Sequence, residues 1–311
     1  MNAIVEQALT LWGMAGAHYA LVAERENAVF KVTTDHGCLA LRLHRKGYRT
    51  DQELWSELKW MEVAARGGID VPKPVPSPYG KVLHAIDGVQ VDVLTWLSGA
   101  PLADLFDTLG PNDRADVFYA VGQQMAHLHD ISDAWAPPTE FHRCAWNQAG
   151  LLGAAPLWGR FWENPTLTNQ DRALLTQFRA TAQADLARME STLDYGLIHA
   201  DLVSANIMLD GTHVRLIDFD DGGFGFRLFE IATTLLKFMA EPDYDHLRTA
   251  LIQGYTSVRA INLGALDLFL ALRAATYVGW AITRQTHDNT ADRTTRFIAA
   301  ARQRARAYLE R

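Results

Sequence analysis

The sequence predicts an α+β chain: a sheet-rich front third, a short connection and a mainly helical remainder. Three observations carry that expectation. Strand-like runs joined by tight turns dominate residues 27–97, helical periodicity dominates beyond Ser98-Gly99, and a single further hairpin interrupts the helical part. With 311 residues, 49% of them hydrophobic, the chain can bury a substantial core, and the change of pattern divides it into a front lobe, 1–97, and a back lobe, 98–311.

Residues Asn27 to Arg45, NAVFKVTTDHGCLALRLHR, place β-branched and apolar residues around an Asp35-His36-Gly37 turn and read as a hairpin. From Asp51 to Arg66, Leu54, Leu58, Met61 and Ala65 recur at helical spacing until Gly67-Gly68 ends the helix. After a Pro-rich loop, VLHAIDGVQVDVLTWL reads as two strands around Asp87-Gly88, which makes the front third a sheet with one helix. Val117, Val121, Met125 and Leu128 mark a helix in the back lobe. Thr168 with Asp171 caps another, which carries Leu174, Leu175, Phe178 and Leu186. NIML, Asp210-Gly211 and THVRLID form the interrupting hairpin, and everything beyond Phe226 is expected to be helix. A cleft between two such lobes is a common place for a ligand.

The charge balance excludes some partners. With 29 Lys and Arg against 36 Asp and Glu, and no basic block, the electrostatic footprint of a nucleic-acid binder is missing. No stretch reads as a signal peptide or a membrane span, and the two cysteines, Cys38 and Cys144, form no C-x-x-C pair, which suits a cytoplasmic protein. Nothing in the sequence bears on oligomeric state.

The densest chemical signal is LIHADLVSANIMLDGTHVRLIDFDDGG, Leu197 to Gly223. Asn206 begins the first strand of the hairpin and Asp218 lies just beyond the second, so both project from its open end as hard oxygen donors of the kind Mg²⁺ takes alongside phosphates. Asp201 stands five residues before Asn206. The spacing is that of the kinase catalytic loop, H-R-D-L-x-x-x-N followed by a D-F-x metal aspartate. On the strand Cys38 to His44, alternation puts Arg42 on a face with Cys38, Ala40 and His44. Ala40-Leu41-Arg42 stands where kinases carry the A-I-K of V-A-I-K, and Glu57, at the edge of the apolar stripe of its helix, is the candidate ion-pair partner.

These stretches, with ENAVFKV, LRLHRKGY, SELKWM, VLTWLSG, MAHLH, WGRFWENPTLT and YVGWAITR, resemble the aminoglycoside phosphotransferase family of kinase-like enzymes over nearly the whole chain. Within it they are similar to the branch containing stress-response kinase A and type II homoserine kinases. The resemblance implies a protein-kinase-like bilobal fold with a small β-rich N-lobe and a larger helical C-lobe. It implies Asp201 as catalytic base, Asn206 and Asp218 as Mg²⁺ ligands, Arg42 as the phosphate-binding cation and Glu57 as its orienting partner. Thr95 to Leu97 would be the hinge that holds the adenine of ATP, with Ala40 beside it. Arg42 replaces the usual Lys, Ala200 the usual Gly or Arg, and Glu230 a common Asp. The AEREN loop has no glycine, so phosphate contacts there fall to backbone amides or Asn27.

The implied activity is transfer of the γ-phosphoryl of ATP to a hydroxyl of a small, amine-bearing molecule. A Ser/Thr protein kinase and a nucleotide-binding module without turnover are the rivals. Position 200 is Ala, unable to pair with a phosphate, and only Phe219 to Phe229 separate the metal aspartate from Glu230, too short a segment for a peptide platform. Asp220 and Asp221, after the metal aspartate, suggest an acceptor pocket that favours a cation. His127, His129 and His142 are expected at the surface or at caps, Trp158, Trp162 and Trp280 in packing, and the arginines of the last helix on a solvated face.

Overall fold

The computed structural model describes residues 1–24, 27–284 and 290–311. It contains two compact units. The first takes Met1–Leu109, Asp130–Arg143 and Ala205–Asp220; the second takes Gly110–His129, Cys144–Ser204 and Asp221–Arg311.

The chain opens with α1 (Asn2–Leu11), β1 (His18–Glu24), β2 (Asn27–Thr34), β3 (Gly37–His44), α2 (Asp51–Arg66), β4 (Leu83–Ile86) and β5 (Val89–Thr95). The five strands form an antiparallel sheet in the order β1-β2-β3-β5-β4. The hairpin expected at 27–45 is β2 and β3, and the one around Asp87-Gly88 is β4 and β5. α2 starts where Thr50 and Glu53 form a capping box, each side chain accepting from the other residue's backbone N–H, and it stops at Gly67.

The front third holds two helices rather than one. Val5, Ala8, Leu9 and Trp12 of the N-terminal segment are buried against Phe30, Val32, Leu41, Leu43, Val91 and Val93. α1 thus supplies the apolar cover that one face of the sheet requires. β1 also escapes pattern reading, because as an edge strand it is exposed along nearly all its length and shows no alternation.

There follow β6 (Ala100–Pro101), α3 (Leu102–Leu105), α4 (Pro111–Ala134), β7 (Ala145–Trp146), α5 (Gln148–Leu152), α6 (Asn169–Met189) and β8 (Tyr195–Ile198). The chain then runs through β9 (Ile207–Asp210), β10 (His213–Leu216), β11 (Gly223–Phe226), α7 (Arg227–Leu236), α8 (Tyr244–Thr256), α9 (Leu266–Trp280) and α10 (Thr290–Leu309). The expected second hairpin is β9 and β10, joined in the first unit by β6 in a three-stranded sheet. α6 is capped as the sequence suggests, the Thr168 hydroxyl accepting from the Asp171 N–H at 3.1 Å.

A further sheet lies inside the region read as helical. β11 pairs antiparallel with β8 and parallel with β7. Its sequence, GFGF, looks like a connection, yet the glycines serve close packing. A Cβ on Gly223 would come within 2.3 Å of the Cys144 carbonyl oxygen, and one on Gly225 within 2.4 Å of the Ile198 side chain. In the same unit α4 and α8 approach through Gly122 and Gly254, where a Cβ would lie about 2 Å from a backbone oxygen of the opposite helix. Among the described residues no helix is long and apolar enough to cross a membrane.

Candidate active site

In the first unit the site is built on register. Arg42 of β3 lies directly opposite Asp92 of β5, and its Nε and Nη2 donate to the two carboxylate oxygens at 2.8 Å each. Nη1 donates to Oε1 of Glu57 on α2, also at 2.8 Å, so the pairing expected from the sequence is present. His44 Nε2 lies 2.6 Å from Asp92 Oδ2, and Arg143 Nη1 lies 3.8 Å from Glu57 Oε2. All four partners of the first cluster, Arg42, His44, Glu57 and Asp92, are buried.

Burial alone would push the Asp92 carboxyl up. The Arg42 guanidinium and His44 outweigh it and hold Asp92 well below the usual carboxylate range, while Arg42 itself is pushed up by its two carboxylates despite the opposing effect of burial. Each nitrogen of Arg42 therefore already has a carboxylate partner, and its remaining N–H groups are what it can offer a phosphate. Asp92 was not singled out in the sequence, although it is the one charged residue in the run Val89 to Leu94, a signal that a buried strand carries a purposeful carboxylate.

Asn206 and Asp218, the metal ligands that the resemblance implies, lie at one end of the β9–β10 hairpin. Ile207 pairs with Leu216, and the Ile217 N–H donates to the Asn206 carbonyl at 3.0 Å, which leaves Asn206 just before β9 and Asp218 just after β10. Asp218 has φ +68, in the left-handed region that non-glycine residues avoid. Beyond it the chain is anchored. Phe219 is fully buried, edge-on to Trp60 at 5.0 Å, and Asp220 pairs with Arg49 at 3.3 Å while its carbonyl accepts from Arg49 Nη2 at 2.9 Å. Arg143 donates to the carbonyls of Glu53, Phe219 and Asp220. An amide oxygen and a carboxylate form a hard-oxygen donor pair that suits a divalent cation sharing its shell with phosphates.

The remaining positions that the resemblance assigns to the nucleotide lie at the start of β2, on β3 and at or just after the end of β5. Thr95 pairs with Leu39, its N–H donates to the Lys73 carbonyl at 2.9 Å, and Lys31 Nζ sits 4.9 Å over the Trp96 ring. Ala40, Thr95 and Leu97 are half-buried, as is Asn27 at the start of β2. Of the AEREN loop, Arg25 and Glu26 lie outside the described residues.

In the second unit the loop after β8 carries Asp201. Ala200 is buried at φ +63, and its N–H donates to Glu230 Oε2 of α7 at 3.3 Å. Thr234 of the same helix donates to the Leu202 carbonyl at 2.8 Å, so α7 holds the loop on both sides of Asp201. Glu230 is fully buried, and burial pushes its carboxyl up to about 7 against the opposing bonds from Ala200 and His199 and the charges of Arg227 and Arg273. His129 is buried rather than at the surface: its Nε2 lies 3.5 Å from Glu230 Oε1 and its Nδ1 2.9 Å from the Tyr255 hydroxyl. Burial, with Arg227 and Arg259, holds it well below the usual imidazole range, that is, neutral.

Asp201 accepts a hydrogen bond from Arg273 Nη2 of α9 at 2.8 Å. Sequence reasoning missed Arg273, which stands four residues before Tyr277 of the YVGWAITR stretch. Its guanidinium carbon sits 4.4 Å from the Trp158 ring centre and 4.5 Å from that of Tyr277. Asp221 accepts from the Trp158 indole at 3.4 Å, but Asp220, paired with Arg49 in the first unit, is spent as a counter-ion and no longer argues for a cationic acceptor. Among the described residues no group of three His, Cys, Asp or Glu side chains is arranged to hold a metal by itself.

Residues 20–269 match the phosphotransferase enzyme family. The chain is 28% identical to a homoserine kinase of Brucella abortus over 270 residues, 83% of this chain and 76% of that protein. It is 24% identical to the amicoumacin kinase of Bacillus subtilis over 242 residues, 77% of this chain and 68% of that protein. Among solved structures, a microcompartment-associated aminopropanol kinase superposes with a TM-score of 0.87 at 27% identity, covering 100% of this chain and 98% of that one. The amicoumacin kinase hAmiN, in complex with AMP-PNP and Ca²⁺, has a TM-score of 0.75 at 19% identity and covers 97% of this chain and 93% of that one. The α+β architecture is thus kinase-like. The chain belongs to the phosphotransferase enzyme family, kinase-like enzymes that transfer a phosphoryl group from ATP to a hydroxyl of a small molecule.

Proposed function

We propose that the chain phosphorylates the hydroxyl of a small amino alcohol in the cytoplasm, with Asp201 as base and Asn206 and Asp218 as ligands of the Mg²⁺ that accompanies ATP. The observation that carries the reading is the catalytic loop itself: Asp201 on a backbone tied to α7, followed at kinase spacing by the Asn206 and Asp218 pair of hard oxygen donors. Bound Mg²⁺ supplies charge neutralisation to the phosphates. Arg42, fixed by Asp92 and Glu57, presents its remaining N–H groups toward phosphate oxygens, and Thr95 to Leu97 with Ala40 and Asn27 border the nucleotide. Asp201 orients the acceptor hydroxyl and takes its proton as the new O–P bond forms and the bond from the γ-phosphorus to the β,γ-bridging oxygen breaks, releasing ADP. Functionally, residues 1–97 serve the nucleotide and 98–311 the acceptor, with the 205–220 hairpin supplying the metal ligands.

The acceptor class is supported by two relatives whose names, homoserine kinase and aminopropanol kinase, both denote a hydroxyl compound with an amine. The short segment after Asp218, part of which is β11, and the alanine at position 200 support an enzyme active without prior phosphorylation. The test is ADP release with aminopropanol, homoserine, ethanolamine, an aminoglycoside and a generic Ser/Thr peptide, before and after phosphatase treatment. Turnover with an amino alcohol, insensitive to phosphatase, is expected. Asp201→Ala should abolish it while nucleotide binding survives. Turnover confined to peptides, or equal loss of ATP affinity in Asp201→Ala and Asp218→Ala, would overturn the reading.

A further inference from the structure

Arg273 is a costly residue to keep. It is wholly buried on α9, yet among the described residues only Nη2 of its three nitrogens finds hydrogen-bond partners, Asp201 Oδ1 at 2.8 Å and the Tyr277 hydroxyl at 3.1 Å. Nε and Nη1 are buried without a partner. Buried donors are normally satisfied, and a cation with two unsatisfied nitrogens demands a reason. Aromatic faces supply part of its environment, Trp158 and Tyr277 at 4.4 and 4.5 Å and Phe229 at 5.4 Å. The Trp158 face is itself held in place. Gly159 and Gly279 pack backbone to backbone, a Cβ on Gly279 meeting the carbonyl oxygens of both Gly159 and Trp158 at under 3 Å. The ring faces that could have caged a substrate ammonium are therefore occupied by the protein's own guanidinium.

We infer that Arg273 is a positioning residue for the transfer step: clamped between ring faces, it holds the Asp201 carboxylate in the orientation from which it meets the acceptor hydroxyl. An arginine that only ties the fold together has its donors met by protein acceptors, as Arg143 has at the carbonyls of Glu53, Phe219 and Asp220. Here the guanidinium is fixed by shape, and its one strong hydrogen bond goes to the base. Lysine cannot substitute, because an ammonium has no plane to lie along the rings and no fork to set the direction of the bond. The acceptor side thus owes its geometry to a residue 72 positions away from the base in the chain.

The inference rests on the phosphotransferase reading, so Asp201→Ala is run alongside. ADP release with aminopropanol and with homoserine as acceptors is measured for Arg273→Ala, with and without added guanidinium, methylguanidinium or methylammonium, and folding is checked by thermal melting. Arg273→Ala should lose kcat by about a hundredfold with the KM for ATP unchanged. Guanidinium or methylguanidinium should restore a large share of the loss by re-entering the aromatic slot, and methylammonium should not. Wild-type kcat, a parallel loss of ATP affinity, or a folded variant that guanidinium ions fail to rescue would overturn the inference. If Arg273→Ala does not fold, Arg273→Lys decides: a fall of roughly tenfold or more in kcat at constant KM for ATP supports the clamp, and wild-type kcat overturns it. Wild-type turnover in Asp201→Ala would instead defeat the assignment of the base itself.

Discussion

Two buried arginines, one in each compact unit, meet their surroundings in opposite ways. Arg42 spends every nitrogen on carboxylates, in a bidentate pair with Asp92 and a third bond to Glu57. Arg273 spends one nitrogen on Asp201 and Tyr277 and rests the remainder against aromatic rings. Two buried carboxyls of these units are moved apart for separate reasons: the Arg42 guanidinium holds Asp92 well below the ordinary carboxylate range, whereas burial pushes Glu230 up to about 7 against the opposing charges of Arg227 and Arg273. Pairing every nitrogen of a buried guanidinium with a carboxylate holds the Asp92 carboxylate in its charged form. Burial that outweighs the nearby guanidinium charges, as at Glu230, leaves a carboxyl whose charge state changes near neutral pH.

The sharpest way to break this contrast is Asp92→Ala. Removing the carboxylate leaves a buried guanidinium short of its main partner, and a loss of about 3–5 kcal/mol is expected from denaturant unfolding at pH 7. A loss below about 1 kcal/mol would place the cluster no higher than a surface ion pair.

The second test addresses the opposite shift. Because the folded-state pKa of Glu230 lies above its ordinary value of 4.5, ionising it opposes folding, and the wild type loses stability as pH rises from 4.5 through about 7. Glu230→Gln, which keeps an oxygen for the Ala200 N–H, should escape that loss. Its advantage should grow to roughly 3 kcal/mol above pH 7 and shrink toward acid pH. Thermal melts at pH 5 and pH 8 measure it, and an advantage independent of pH would refute the assignment. The smallest effect is expected at Lys59→Ala, whose partner Glu62 lies 3.1 Å away with both side chains substantially exposed. A change within about 0.5 kcal/mol in the same unfolding assay would show that burial, rather than opposite charge alone, sets the scale at Arg42.

What the sequence made legible was local. The β2–β3 hairpin, the start and stop of α2 and the Thr168 cap follow from neighbouring residues, and the placing of Asn206 and Asp218 at the open end of the β9–β10 hairpin follows from its turn. Arg42 and Glu57 were matched because strand and helix are consecutive. Asp92, fifty residues from Arg42, and Arg273, on the ninth helix, are joined to their partners only by strand register and helix packing, which periodicity does not encode. β11 was hidden for a related reason: its glycines are dictated by the Cys144 backbone and the Ile198 side chain lying against them, and nothing in GFGF itself announces those neighbours. His129 sits on a helix face whose partner, Glu230, is a hundred residues further along the chain.

The interleaving of the two units bears on how the protein is made. The chain leaves the first unit after Leu109, returns at Asp130, leaves again after Arg143, and comes back at Ala205 to lay down the β9–β10 hairpin before departing for good after Asp220. Arg42, Glu57 and Asp92 all emerge from the ribosome early and can find one another, but Asn206, Asp218 and the Asp220 anchor for Arg49 arrive only after much of the second unit has been synthesised. With the proposed ligands Asn206 and Asp218, a growing chain has no complete seat for a metal-bound nucleotide until residue 220 is out. Ligand binding stabilises only a state that can bind, so the cell's ATP offers no help to the half-made protein. Through that interval the front sheet depends on its own core, to which α1 and the residue after it contribute Val5, Ala8, Leu9 and Trp12.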